Sequence, residues 1–338
     1  MNILQNISLK PYNTFGIDTK AKEFVEINSF EELQLFCQIF NLSERNVLIL
    51  GGGSNLLLTQ DFDGMAIKIS IKGIEVVHES ENHVWVKAMA GEEWHQFVLW
   101  TIEHQYAGLE NLSLIPGCVG AAPMQNIGAY GVEIKHTFDS LEAIELSTGN
   151  KIVFNNEECK FGYRESIFKN EAKGKYIIAS VTFKLNKQPV FNTTYGAIQQ
   201  YIDQMGVKEL SIKAISDAVV AIRKSKLPDP AILGNAGSFF KNPEVDKSVY
   251  EELKAAYPEM VGYPAQGDKV KLAAGWLIEQ CGWKGKRVGN TGSHKDQALV
   301  LVNYGGATGD EIYQLALDIQ QSVKDKFGVD IIPEVNLI

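Results

Sequence analysis

Cysteine is scarce and scattered. The chain holds four, Cys37, Cys118, Cys159 and Cys281, none in a C-x-x-C pair. That spacing excludes a disulfide frame and a zinc ribbon and fits reduced thiols in the cytosol. The six histidines show neither H-x-x-x-H nor H-E-x-x-H spacing, so no metal site is expected. Positive charge is also in deficit, with 32 Lys and Arg against 41 Asp and Glu and a net charge of −9. A non-specific nucleic-acid binder would need a basic face, although a local basic pocket for a small anion stays open. No run of 18 apolar residues free of breakers occurs, so no membrane span is expected. Met1 to Gly16 lacks the apolar stretch and the small-residue cleavage site of a signal peptide. Neither G-x-G-x-x-G nor a Walker A sequence is found, and no internal repeat or low-complexity tract is visible. What is present is ordinary for a globular protein, 45% hydrophobic and 22% charged. A length of 338 residues suggests two domains.

One stretch stands out. From Asn111 to Val132 no residue is charged, and the stretch mixes two prolines and four glycines with Leu, Ile, Val, Ala and Met. A membrane helix could not hold those breakers and amides in lipid, and a solvent loop would be more polar. A buried, irregular backbone remains. Glycine allows the main chain to approach a ligand closely, and inward N–H groups can bind anions or a heterocycle. A large planar cofactor with a pyrophosphate tail suits such a wall; a tightly packed structural turn is the alternative.

Around it the chain alternates strands and helices. Ser29-Phe30-Glu31-Glu32 is a capping box that opens an amphipathic helix to about Phe40. Val47 to Leu50 reads as a buried strand running into Gly51-Gly52-Gly53-Ser54-Asn55, a turn that could offer N–H groups to phosphate or simply be tight. Met65 to Ser70, Ile74 to His78, Val84 to Ala88, Leu141 to Leu146, Lys151 to Phe154 and Tyr176 to Leu185 read as strands. Glu93 to about Gln105 and Ile212 to Ile222 read as helices. The polar, turn-rich stretch Lys187 to Gly206 is the candidate domain boundary. Val270 to Cys281 reads as a packed helix and Ala298 to Val302 as a buried strand. Thr308-Gly309-Asp310-Glu311 caps a long final helix to Phe327, and Ile331 to Ile338 closes the chain as a strand.

Several polar residues could carry chemistry. Arg164, flanked by Phe161 and Tyr163, could hold a carboxylate bidentately, or make a cation–π contact or an ion pair with Glu165. Arg223-Lys224-Ser225-Lys226 could clamp a diphosphate or be a solvated helix end. Ser238 sits in Gly234-Asn235-Ala236-Gly237-Ser238-Phe239-Phe240, glycine-flanked and anchored by two phenylalanines. It lacks the G-x-S-x-G pattern of a nucleophile elbow, and capping its own turn is the alternative to catalysis. Glu334 is either a surface residue of the strand edge or a partly buried acid with a raised pKa.

These motifs together resemble the UDP-N-acetylenolpyruvoylglucosamine reductase, or MurB, family. The resemblance is carried by Gly108-Leu109-Glu110-Asn111 through Gly131-Val132-Glu133-Ile134, Gly162-Tyr163-Arg164-Glu165-Ser166, Lys226-Leu227-Pro228-Asp229-Pro230, Asn235 to Pro243, Lys271 to Ile278 and Pro333-Glu334-Val335. They occur in the family's order and cover nearly the whole chain. Tyr195, in its Thr-Tyr-Gly context, resembles the substrate-capping tyrosine of the longer, type I branch.

The resemblance implies an α+β chain. Residues 1–200 would be a two-part FAD-binding domain of the vanillyl-alcohol-oxidase/PCMH type, with lobes 1–70 and 71–200. Residues 205–327 would be an α/β substrate-binding domain, and 328–338 a strand carrying Glu334 back to the FAD domain. It further implies non-covalent FAD, since Gly51 to Asn55 contains no His or Cys, with NADPH as hydride donor. The activity implied is a cytoplasmic step of peptidoglycan precursor synthesis, by a monomer acting on a nucleotide sugar. Arg164, Ser238 and Glu334 would be catalytic. Gly51, Gly52, Gly53, Ser54, Asn55, Pro116, Gly117, Gly120, Ala121, Ala122, Gln125, Asn126, Gly128 and Tyr130 would bind FAD. Tyr163, Tyr195, Arg223, Lys226, Asn242, Lys271 and Gln297 would bind substrate. Asn336 departs from relatives that carry arginine there. A flavin oxidase on the same scaffold and a nucleotide-sugar sensor without flavin are the competing readings.

Overall fold

Alternation along the strand His83–Met89 explains the largest sheet. Val84, Val86 and Ala88 are fully buried while the residues between them are half-exposed, as a period of two requires. This strand lies in a five-stranded sheet ordered Lys151–Asn155, Phe138–Glu145, Tyr176–Asn186, His83–Met89, Ile74–Glu79, and every pairing in it is antiparallel. The helix Trp94–Glu103 covers its inner face. Trp94 and Phe97 meet Phe183 of the central strand with ring centroids 5.8 and 5.3 Å apart, and the cluster extends to Leu109, Leu112, Val119 and Ala122 of the glycine-rich stretch.

A second sheet is ordered Leu4–Ser8, Lys20–Ile27, Phe62–Ile69, Val47–Leu50. The helix Phe30–Ile39 packs Leu33, Phe36 and Cys37 into one cluster with Val25, Met65 and Ile67 of this sheet. Half of the expected capping box is formed: Ser29 Oγ accepts from Glu32 N at 3.0 Å, but the Glu32 carboxylate reaches one residue further back and accepts from Asn28 N at 2.8 Å.

The computed structural model describes residues 1–195, 197–265 and 267–338. The chain divides into two compact units, the first of residues 1–7, 21–52 and 63–224, the second of residues 8–20, 53–62 and 225–338. The break falls after Lys224 and not in the polar stretch near 200–205, because Ile198 and Ile202 share a buried cluster with Ile215, Val219 and Ile222 of the helix Ile212–Lys226.

Unit 2 is built on a sheet ordered Gly234–Ser238, Val300–Asn303, Thr291–Ser293, Arg287–Val288 and the helix Gly309–Phe327. That helix carries the expected capping box between Thr308 and Glu311 and ends at Gly328 with φ +68°. Two expectations need correction. Lys269–Leu272 is a strand, and the helix begins only at Ala274; the alternation Lys-Val-Lys-Leu has the period of a strand. The closing strand is short, Asn336–Leu337, pairing in parallel with Leu56–Leu57. Upstream, Pro333 has no N–H to give a ladder and makes a single isolated bridge with Phe240. Among the described residues no helix is long and apolar enough to cross a membrane.

Candidate active site

In unit 1 the glycine-rich stretch is irregular and partly buried. A 3-10 helix Val119–Gln125 ends at Asn126 with φ +44°, and Leu114, Gly117, Tyr130 and Gly131 also have positive φ. The turn before the helix Trp94–Glu103 grips it: Trp94 N donates to Gly117 O, Val119 N to Glu92 O and Gly120 N to Ala90 O, each at 2.9 Å. Gly51 and Gly52, at the end of the strand Val47–Leu50, lie against the same backbone. A Cβ on Gly52 would stand 2.7 Å from Gly117 Cα, and one on Gly120 would stand 2.5 Å from Ala90 Cβ. Lys68 Nζ donates to Gly51 O at 2.9 Å. Gly52, Pro116 and Ala121 are exposed, and Gly51, Gly117, Gly120, Gln125 and Gly128 half-exposed. An open, uncharged face of main chain and small groups suits a planar ring.

Two of the expected cofactor residues point elsewhere. Ala122 is buried in the core under this face. Asn126 is fully buried, and its amide donates to Glu133 Oε2 and Gly162 O, both at 3.0 Å, while its Oδ1 accepts from Lys135 N. Asn126 is therefore a bracket of the wall; both its N–H groups are already used.

Two guanidinium groups come together in the same unit. Arg164 sits at φ +56° in the turn closed by Gly162 and Glu165. Its Nη2 donates to Gly128 O at 2.9 Å and its Cζ lies 5.5 Å from the Tyr163 ring centroid. Arg223, on the helix Ile212–Lys226, donates from Nε to Leu114 O at 3.2 Å. Burial pushes the Arg223 pKa down, Tyr130 opposes this, and the positive charge of Arg164 adds to it. Burial likewise raises the Tyr130 phenol, against the pull of Arg223. Two like charges so placed favour an anion beside them. Tyr195 is exposed, its side chain 3.2 Å from where a Gly131 Cβ would stand.

Unit 2 brings Ser238 and Glu334 to adjacent backbone. Glu334 N donates to Phe239 O at 2.7 Å, and Lys241 N donates to Ile332 O at 2.9 Å. Ser238 ends the strand Gly234–Ser238, which bulges against Val300–Asn303 between Asn235 and Ser238. Gly237 takes φ +70° there, and Phe239 and Phe240 are buried behind it. Asn235, a residue that sequence reasoning left without a role, shapes this bulge. Its Oδ1 accepts from Gly237 N at 2.9 Å, and its Nδ2 donates to Pro228 O and Leu233 O at 3.2 and 2.8 Å. Its place two residues before a glycine was the available signal. Asn55 adjoins Glu334: its Nδ2 donates to Glu334 O at 3.4 Å, and its own carbonyl accepts from Asn336 N and Nδ2. Asn336 thus ties down the turn that starts at Gly53.

The remaining substrate candidates in unit 2 fall in two places. Asn242 Oδ1 accepts from Ala274 N at 3.0 Å, Gln297 Oε1 lies 3.1 Å from where a Gly275 Cβ would stand, and Lys271 Nζ is 3.8 Å from Glu244. These three surround the start of the helix Ala274–Gln280. Lys226 is exposed at the end of the helix Ile212–Lys226 and is not joined to them by any described contact.

Comparison with known proteins shows the family and the fold. Residues 229–338 match the family model for the C-terminal domain of UDP-N-acetylenolpyruvoylglucosamine reductase, and residues 21–154 match a FAD binding domain. The chain is 54% identical over 339 aligned residues to a UDP-N-acetylenolpyruvoylglucosamine reductase of Flavobacterium johnsoniae, with 100% of both covered. It is 50% identical to the protein of that name from Pseudomonas putida, with 98% of each chain covered. The crystal structure of the MurB reductase from Thermus caldophilus shares the fold, with a TM-score of 0.69 at 23% identity over 100% of this chain and 99% of that one. On sequence, by full-length identity of about half, the chain belongs to the UDP-N-acetylenolpyruvoylglucosamine reductase family.

Proposed function

We propose that this chain reduces the enolpyruvyl group of UDP-N-acetylglucosamine-enolpyruvate to a lactyl group, giving UDP-N-acetylmuramate. The reaction would be a cytoplasmic step of peptidoglycan precursor synthesis, carried out by a monomer. FAD, which the face built by Gly51, Gly52, Gly117 and Gly120 would hold, would supply the terminal enolpyruvyl carbon with a hydride taken from NADPH. The chain's own residues then deal with charge and proton. Negative charge appears at the neighbouring carbon and spreads into the carboxylate. Arg164, with its charge set by a backbone carbonyl and a tyrosine face, meets that carboxylate, and by analogy with an oxyanion donor this is worth about 3–4 kcal/mol. Glu334, whose N–H donates to Phe239 O beside Ser238, takes part in the protonation step. Ser238 gives its hydroxyl proton to the carbon. A serine is a weak acid, and the transfer depends on fixed geometry.

The observation that carries this reading is the placing of Ser238. It sits on a bulge set by Gly237 and Asn235, one residue from the backbone bond that joins Phe239 to Glu334. Single turnover in deuterated solvent with Ser238→Ala tests it. NADPH should reduce the flavin at the wild-type rate, and substrate should reoxidise it very slowly. Fast reoxidation in that variant would remove Ser238 from the role of acid.

A further inference from the structure

Leu114 lies in the glycine-rich wall at φ +59°, a conformation that residues with a branched side chain rarely adopt. Such strain persists only where the surroundings over-determine it, and it collects at functional sites. Here both backbone polar groups of Leu114 are held by side chains. Its N–H donates to His95 Nδ1 at 3.0 Å, and its carbonyl accepts from Arg223 Nε at 3.2 Å. The preceding residue is held as well. Ser113 Oγ donates to Glu110 O at 2.8 Å and shares a 2.7 Å hydrogen bond with Ser216 Oγ, and Ser216 lies on the helix that also carries Arg223.

We propose that His95 is a positioning residue for Arg223. By taking the Leu114 N–H it fixes the Leu114 carbonyl against which Arg223 Nε rests, and the terminal fork of the guanidinium is then aimed at an anionic group of the substrate. The proposal rests on the reading of Arg223 as a substrate contact. His95 is half-buried on the helix Trp94–Glu103. To accept at Nδ1 the imidazole must be neutral, with its proton on Nε2. The charges that face it favour that state on balance. Burial holds its pKa below the ordinary imidazole value, Glu93 on the same segment opposes this, and Arg223 and Lys224 on the neighbouring helix add to it. Protonation of Nδ1 would turn an acceptor into a donor facing the Leu114 N–H and release the carbonyl that steadies Arg223.

The test uses the holoenzyme with UDP-N-acetylglucosamine-enolpyruvate and NADPH, from about pH 5.5 to 8.5. Four variants are compared with wild type: Arg223→Gln, His95→Ala, His95→Asn, and the pair His95→Ala with Arg223→Gln. His95→Ala should raise KM for the sugar nucleotide about tenfold, the worth of one good hydrogen bond, with kcat changed far less. Wild-type KM should climb as pH falls below the imidazole range. His95→Asn, whose Oδ1 stands near the place of Nδ1 and does not titrate, should restore KM and abolish that climb. In the double variant His95→Ala should add nothing to Arg223→Gln, because it acts through that arginine. A wild-type KM in Arg223→Gln would overturn the reading of Arg223 and the proposal with it. An impaired Arg223→Gln beside a normal His95→Ala would overturn the role of His95 alone. If His95→Ala fails to hold flavin, the remaining comparison decides: a His95→Asn variant with full flavin but raised KM, or one that keeps the acid climb, overturns the proposal.

Discussion

Adjacent glycines at the end of the strand Val47–Leu50 should answer very differently to the same small change. In Gly52→Ala the new methyl would stand 2.7 Å from Gly117 Cα and 3.2 Å from the Gly117 carbonyl carbon. Carbon atoms rest at about 3.5–4.0 Å, so one backbone must retreat by roughly 1 Å. Neither can do so cheaply, because Gly117 O accepts from Trp94 N and Gly51 O accepts from Lys68. Overpacking of this kind costs about 1–3 kcal/mol. In Gly51→Ala the methyl would meet Cys118 Cβ at 3.6 Å and Ala121 Cβ at 3.8 Å, which is ordinary contact. The apoprotein of Gly52→Ala should therefore melt about 3–10 °C lower than wild type, while that of Gly51→Ala should melt close to wild type. If the gap between the two stretches also faces FAD, the same 1–3 kcal/mol weakens FAD binding about 5- to 150-fold. Differential scanning fluorimetry of the apoproteins reads the first effect, and titration of apoprotein with FAD, followed by flavin fluorescence, reads the second. A Gly52→Ala protein with wild-type melting and wild-type FAD affinity would refute the argument. So would equal damage from both variants in the apoprotein.

The other expectations concern stability and the turn bearing Ser238. Glu142 is braced by Lys87 at 2.7 Å, Lys151 at 3.0 Å and Ser180 at 2.9 Å. Burial alone would raise its pKa, but these partners outweigh burial and hold the carboxyl at about 2, against 4.5 for a free side chain. A depressed pKa stabilises the fold above the unfolded value and loses that contribution as pH falls from 4.5 towards 2. Allowing for solvent screening, Glu142→Gln should cost about 1–2 kcal/mol at neutral pH, fading in acid; urea unfolding of both proteins at several pH values measures it, and a pH-independent difference would contradict the account. Asn235→Ala leaves Gly237 N, Pro228 O and Leu233 O without their partner, at a cost of about 1–3 kcal/mol. In single-turnover measurements it should also slow flavin reoxidation by substrate while leaving NADPH reduction intact, and an equal slowing of both half-reactions would count against a role at Ser238.

Local signals in the sequence proved dependable where they rest on short-range geometry. The Ser29 cap and the full box at Thr308–Glu311 form, because a cap is decided within four residues. The charge-free stretch is irregular as its composition implies, but only partly buried, one side packed in the core and the other open. Errors arose where the deciding partner is distant or the signal is ambiguous. Lys269–Leu272 is a strand because it has Glu244–Asp246 and Gly262–Pro264 to pair with, and no local pattern names those partners. Asn126 looks like a ligand-facing amide beside glycines, yet Glu133, Gly162 and Lys135 use it up. His95 was silent in the sequence because it acts on a backbone group, Leu114 N, that only the folded chain brings to it.

The division of the chain has a consequence for its synthesis. Unit 2 is assembled from three separate segments, and the polypeptide passes from one unit to the other five times. Gly53 fits only because it has no side chain, since a Cβ there would lie 1.9 Å from the carbonyl oxygen of Tyr12. The oily Leu56-Leu57-Leu58 is translated well before its strand partner at Asn336–Leu337. Until then that segment is a sticky edge awaiting its mate. No single cut can liberate unit 2 as one contiguous fragment, so its maturation waits until residues 225–338 have joined the two earlier segments.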